Sequence, residues 1–215
     1  MREYQAIVAR IASEMPEPVL DWGCGHGQIS HMLRERAVAV TAFEWSADAS
    51  PDDEVQPLER YPEIEAHRSS NPVALPFADD SFGCVLSCGV LEHVQRPAES
   101  LDELHRVLRP GGRLLVYKLP NRHSYLEMLA RRLGYYYHGA LVDDQVYTRR
   151  TAIDLLLEHG FRVDAFRRTN LLPLTVAHPL AQALAGPIWV TNRALGRLPG
   201  VSLLATNLEL DATAL

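Results

Sequence analysis

The sequence predicts an α/β protein built on a largely parallel sheet, and three observations carry that expectation. The stretch Val19–Gly27, VLDWGCGHG, runs from an apolar pair through Asp21 into glycine at every second place, Gly23, Gly25 and Gly27, and then into helix-compatible residues 28–36. That is a strand, a tight turn and a helix start. β-rich apolar runs then alternate with segments of helical spacing as far as a fifth strand, the pattern of parallel strands joined by helical crossovers. The second strand ends in Glu44, a carboxylate at the edge where open α/β sheets bind ligands.

Taken in order, Tyr4, Ile7, Val8, Ile11, Ala12 and Met15 recur at helical spacing, and Pro16 and Pro18 end that helix. The first strand is Val19–Asp21, followed by the glycine turn, a helix over Gln28–Arg36 and a second strand over Ala37–Phe43. Residues 46–63 are acidic and punctuated by proline, so a loop or a poorly formed helix is expected there. Ile64–His67 is the third strand and Cys84–Ser87 the fourth. Pro97 opens a helix whose buried face is Leu101, Leu104 and Leu108, and Pro110-Gly111-Gly112 turns it into a fifth strand, Arg113–Leu119. Residues 121–147 are too long for a plain connection and predict a lid with its own helix, Tyr125–Leu133. A helix over Thr148–His159, capped by Thr148 or Thr151 and stopped by Gly160, leads to a sixth strand, Phe161–Arg167. Residues 171–200 form an apolar insertion broken near Gly186-Pro187, and Val201–Glu209 reads as the last strand. The expected organisation is one domain over 1–215, with a core at 16–120, a lid at 121–147 and a C-terminal part at 148–215.

Composition narrows the class. The three cysteines, Cys24, Cys84 and Cys88, have neither metal spacing nor an even count, which implies a reducing, cytoplasmic setting and no metal site. The first residues carry charges and no apolar leader, and no run is long enough to span a membrane. The net charge of −6 is uneven: residues 113–200 hold twelve Lys+Arg against six Asp+Glu. A basic later half suits an anionic acceptor, or is simply a solvated face. Aromatics do not interleave with the basic residues, so nucleic acid is not an expected partner. The insertion 171–200, flanked by Arg193 and Arg197, either meets a membrane surface or an apolar tail or packs within the protein. Oligomeric state is left open by the sequence.

The glycine spacing is G-x-G-x-G rather than the G-x-G-x-x-G of dinucleotide binders. With LPFADDSF at 75–82, LEHV at 91–94 and LRPGG at 108–112, the glycine stretch resembles class I S-adenosylmethionine-dependent methyltransferases, in particular the group acting on small molecules. The resemblance covers about residues 16–120, and 148–166 more loosely. It implies a Rossmann-like sheet of seven strands, the last antiparallel, with helices on both faces and the lid after strand five. It also implies S-adenosyl-L-methionine as cofactor and S-adenosyl-L-homocysteine as product.

By the resemblance, Asp21, Gly23, Cys24, Gly25 and Gly27 cradle the cofactor. Glu44 accepts from the ribose diol, for which two carboxylate oxygens are suited, and Trp45 packs on the adenine. Asn71, next to Pro72, takes the place of the aspartate that caps the adenine amino group; an asparagine carbonyl still accepts but carries no charge. Asn71 is otherwise a turn residue before proline. Ser87, Cys88, Gly89 and His93 line the methionine end. Candidate general bases are His93, His123 and His138, with helix capping or packing as the plainer role for His93. The lid tyrosines Tyr125, Tyr135, Tyr136, Tyr137 and Tyr147 suit an organic acceptor or pack the lid. The expected activity is methyl transfer to a small-molecule or lipid- or sugar-linked acceptor. A non-catalytic binding protein of the same fold and a nicotinamide-dependent oxidoreductase are the alternatives.

Overall fold

A computed structural model describes residues 2–50, 54–133, 145–172 and 186–215, apart from 189, 193, 197 and 199. Helices α1 (Arg2–Glu14), α2 (Gln28–Arg34), α3 (Pro97–Val107), α4 (Tyr125–Arg132) and α5 (Arg149–Glu158) accompany eight strands among these residues. The strands are β1 (Val19–Trp22), β2 (Val40–Trp45), β3 (Glu54–Pro57), β4 (Glu65–Ser69), β5 (Phe82–Cys88), β6 (Leu108–Pro120), β7 (Phe161–Thr169) and β8 (Asn207–Ala214). They form one sheet in the order β3-β4-β2-β1-β5-β6-β8-β7. The pairs β1 with β2, β1 with β5, β2 with β4 and β5 with β6 are parallel. β8 is antiparallel to both of its neighbours and β3 is antiparallel to β4.

Helices cover both faces because alternate strand residues are apolar on both. On one face Ile7, Val8 and Ile11 of α1 pack with Ile29, Met32 and Leu33 of α2 against Val19, Cys84, Leu86 and Leu115. On the other, Leu101, Leu104 and Val107 of α3 and Ala152 and Leu156 of α5 meet Leu20, Val85, Leu114 and Leu210. Thr148 caps α5, accepting from the Thr151 amide at 3.1 Å while Thr151 Oγ1 accepts from the Thr148 amide at 2.9 Å.

Two expectations are corrected. The sheet has eight strands rather than seven, because the acidic stretch holds β3 instead of a loop or helix. Its tight return to β4 is closed by the Leu58 amide donating to Ile64 O and the Ile64 amide to Tyr61 O, both near 2.9 Å. Leu58 and Ile64 bury themselves against Ala42 and Ala66. The last strand is displaced: 201–204 form a 3-10 turn and the strand runs Asn207–Ala214. Its polar residue Asp211 is 2% exposed because Arg10 of α1 and Arg167 of β7 both donate to it, at 2.8–2.9 Å. The α4 helix stands where the lid helix was expected. Tyr135, Tyr136, Tyr137 and His138, and most of 171–200, lie outside the described residues. No helix among the described residues is long and apolar enough to cross a membrane.

Candidate functional site

At the carboxyl edge of β1, β2 and β5 lies a cavity of about 320 Å³. Its walls hold Gly23, Gly25, Glu44, Trp45, Asn71, Pro72, Gly89 and His93 from the sequence-derived set. Trp22, Phe43, Val73, Val90, Val94 and Gln95 join them. Of these six, Phe43, Val73, Val90 and Gln95 stand outside the motifs; Trp22 and Phe43 reach the cavity because β1 and β2 are paired with Trp22 opposite Phe43.

The glycine loop is pulled against the end of β2. The amides of Gly23 and Cys24 both donate to Phe43 O at 2.9 Å, and that of Gly27 donates to Cys24 O at 2.9 Å. The Gly25 amide donates to Glu44 Oε2 at 2.5 Å. These loop amides are therefore paired within the protein, and the loop acts by its path rather than as a nest of free donors. Gly25 has φ of 54° and a Cβ built on it meets nothing within 4 Å, so the backbone presents an open face to the cavity. Gly27 differs: with φ of 79°, a Cβ there would collide with Leu58 of the β3–β4 return, so this glycine serves packing.

Asp21 does not line the cavity. It is 2% exposed, accepts from Ser30 Oγ of α2 at 2.6 Å, and so ties the loop's strand to the helix that follows. Burial, with the nearby Glu44 charge, pushes its carboxyl up to about 6, against the hydrogen bond from Ser30. Burial raises the Glu44 carboxyl also, opposed by the Gly25 amide and the Arg68 and His26 charges. Because the folded state holds the Asp21 proton more tightly than the unfolded chain, this group favours folding most in acid, and that contribution falls as pH rises from about 4 to about 6. An elevation of this size corresponds to about 3 kcal/mol at most. Asp21→Asn is therefore expected to raise stability by about 2 kcal/mol at pH 8 and to change little at pH 4. Denaturant unfolding at the two pH values checks this; equal effects at both would remove the charge as the cause.

Asn71 differs from expectation. Its Oδ1 accepts from the amides of Val73 at 3.0 Å and Ala74 at 2.9 Å, so the oxygen caps a turn and the turn reading of this residue holds. What it turns toward the cavity wall is not a spare acceptor. The LPFADD segment beyond it is a clasp: Arg106 of α3 donates to Phe77 O at 2.8 Å, Leu75 O at 3.2 Å and Asp79 Oδ1 at 2.6 Å. Glu103 accepts from the Leu75 amide at 2.7 Å. This motif shapes the wall on which Asn71, Pro72 and Val73 sit.

Trp45 is 50% exposed, steadied by donation from Nε1 to Ser70 O at 3.2 Å, and offers a free aromatic face. Ser87 and Cys88 are not among the lining residues. Cys88 packs toward the α1 face, where burial pushes its thiol up to about 12. Cys24 packs beside Leu58 and Ile64, and burial raises its thiol as well. His93 is on the lining with Nε2 3.8 Å from Glu92 Oε1. His123 is exposed after β6, is not among the lining residues, and its amide donates to Asn121 Oδ1 at 3.1 Å. Tyr147 is buried, its hydroxyl donating to Leu91 O at 3.4 Å, and burial pushes it up to about 12. It packs in the core on the α3 and α5 face of the sheet and stays protonated at neutral pH.

The donor set fits an adenosyl cofactor. Glu44, partly desolvated, gains from donors such as a diol; Trp45, Val73 and Val90 give an aromatic and apolar wall; Gly25 leaves room where any side chain would intrude. Strand order, glycine loop and carboxylate together define the class I S-adenosylmethionine-dependent methyltransferase fold.

A methyltransferase-domain family model matches residues 20–116, and this part of the chain is a class I S-adenosylmethionine-dependent methyltransferase domain. A probable S-adenosylmethionine-dependent methyltransferase of Mycolicibacterium smegmatis is 32% identical over 58% of this chain and 46% of its own length. An O-methyltransferase of Aspergillus sclerotiorum is 30% identical over 80% of this chain and 66% of its own. The chain spans about half the length of the curated relatives it matches first. The crystal structure of a Burkholderia thailandensis 1,6-didemethyltoxoflavin-N1-methyltransferase, with that compound and S-adenosylhomocysteine bound, aligns over 99% of this chain and 77% of its own. Its TM-score is 0.56 at 17% identity, a likeness of fold.

Proposed function

We propose that the protein transfers a methyl group from S-adenosylmethionine to a small organic acceptor. The observation that carries this reading is the Glu44 carboxylate closed onto the Gly25 amide at the rim of a cavity that an adenosyl group suits. When bound, the cofactor supplies a sulfonium methyl whose leaving group, a neutral thioether, departs without an acid. The protein's own task is then to align the acceptor and exclude water. Glu44 orients the cofactor through its hydroxyls, Trp45 and Val73 hold the ring system, and Gly89 and Val90 border the reacting end. His93, the accessible imidazole on the lining, takes the acceptor's proton where the acceptor is a hydroxyl or an acidic carbon. A small acceptor is supported by the fungal O-methyltransferase and by the compound bound in the Burkholderia neighbour.

Thermal unfolding with S-adenosylhomocysteine and with NAD, side by side, tests the reading. At one hundred times its Kd a ligand adds about 2.7 kcal/mol, several degrees for a chain of this size. A rise with S-adenosylhomocysteine alone supports the proposal; a rise with NAD alone replaces it with an oxidoreductase; no rise with either favours a non-catalytic protein. His93→Ala is expected to lower turnover about 10²-fold while leaving the S-adenosylhomocysteine shift intact. Undiminished turnover would take His93 out of the chemistry.

A further inference from the structure

Four arginines of the C-terminal half are matched by carboxylates. Arg113 and Arg162 meet Asp164, Arg167 meets Asp211, and Arg150 meets Asp154. Arg149 and Arg168 are not matched in this way: among the described residues neither has a carboxylate partner. Instead both guanidinium groups lie over the ring of Phe166 on β7, at 5.5 Å and 5.2 Å from its centroid. Two like charges gathered on one ring repel. Burial, and then the Arg149 charge, lower the Arg168 guanidinium from its ordinary value.

The placement is unfavourable in a second way. Arg149 and Arg150 open α5 and no acidic residue occupies its first turn, so cations crowd the positive end of a helix. The helix amides are not asking for a ligand there, since Thr148 and Thr151 already cap them. A charge arrangement that works against stability marks a site held for another purpose.

Phe166 and Arg168 also line a second cavity, of about 700 Å³, between α1 and the last three strands. Its carboxylates are each answered: Glu3 by Asn170 at 2.9 Å, Glu14 by Arg10 at 3.2 Å, Glu209 by Thr169 at 3.0 Å. Arg10 and Arg167 are both held by Asp211. Among the described lining residues, Arg168 is the cation left without a carboxylate.

Residues 145–148 lead from the wall of the cofactor cavity to Arg149. The Gln145 amide donates to Glu92 O at 2.9 Å and Gln145 Nε2 to Val94 O at 3.4 Å, on either side of His93. The Arg122 amide donates to Tyr147 O at 2.8 Å, which brings a further basic residue to this segment two positions before Arg149.

We propose that Arg149 and Arg168, gathered over the ring of Phe166, form an oxyanion clamp that seats the carboxylate or phosphate group of the methyl acceptor. The inference rests on the methyltransferase reading for the word acceptor, but the clamp itself stands on the arginines. Guanidinium groups suit planar, multidentate capture of such oxyanions, and a bound anion removes the repulsion between them.

The test is thermal unfolding of the whole chain in inorganic phosphate and, separately, in malonate, each against chloride at matched ionic strength. Wild type, Arg168→Gln and the double variant Arg149→Gln/Arg168→Gln are compared. Without added anion, Arg168→Gln is expected to unfold no lower than wild type, because a repulsion is gone. The anion-dependent rise of wild type should need about tenfold more anion in Arg168→Gln and vanish in the double variant. A rise with phosphate alone assigns a phosphate-bearing acceptor; a rise with malonate alone assigns a carboxylate. An equal rise in the double variant, or none in wild type with either anion, overturns the clamp. S-adenosylhomocysteine binding should be the same in all three proteins. Wild type that takes phosphate but not S-adenosylhomocysteine would keep the clamp and remove the methyltransferase reading.

Discussion

Glu44→Ala is expected to weaken S-adenosylhomocysteine binding by at least about 100-fold and so to abolish its thermal shift. Two losses combine. The carboxylate that accepts from the cofactor's hydroxyls is gone, and charge-assisted hydrogen bonds of this kind contribute about 1.5–3 kcal/mol each. The Gly25 amide also loses its acceptor at 2.5 Å, so the loop is no longer drawn against β2. Without ligand the variant should not be much weaker than wild type, since it removes a partly buried charge that burial disfavours and that raises the Asp21 carboxyl. Calorimetric titration and unfolding of the free protein separate the two readouts. Full binding in Glu44→Ala would displace the cofactor from this cavity altogether.

The second large effect is on folding. Asp211→Ala is expected to destabilise by about 3 kcal/mol, because removing one member of a buried ion network leaves the others uncompensated. For a chain of this length that lowers the unfolding midpoint by roughly 10 °C. Burial alone would raise the Asp211 carboxyl; the hydrogen bonds from Arg10 and Arg167 outweigh it and hold it below the ordinary carboxylate range. Its contribution is therefore present above pH 4 and is lost as pH falls through the depressed value, the opposite sense to Asp21. Denaturant unfolding of wild type and Asp211→Ala between pH 7 and pH 2 should show the gap closing in acid. A gap unchanged across that range would mean that lost packing, not charge, set the effect.

Much of the site was legible because its signals are local. The Asp21-to-Gly27 turn, Glu44 and the wall at Asn71 are each fixed by a few neighbouring residues, and they meet because β1 lies beside β2. What escaped depends on distance along the chain. Asp211 falls beyond the expected last strand, Val201–Glu209, and nothing marks it until Arg10, about 200 residues earlier in the sequence, is seen beside it. β3 has no apolar run to betray it; its antiparallel pairing with β4 makes it a strand. Asn71 stands on the cavity wall, but its oxygen is spent on Val73 and Ala74, and side-chain hydrogen bonds of that kind leave little trace in composition.

The position of β8 between β6 and β7 has a consequence for biosynthesis. A chain emerging from the ribosome presents β6, then β7, and only afterwards the strand that joins them. Until then β6 carries one open edge and β7 carries two, with unmet amides and carbonyls of the sort that recruit other chains. The sheet closes late and through contacts distant in sequence, which slows folding. Nascent protein is thus expected to lean on holding chaperones until residues 207–214 are free to insert.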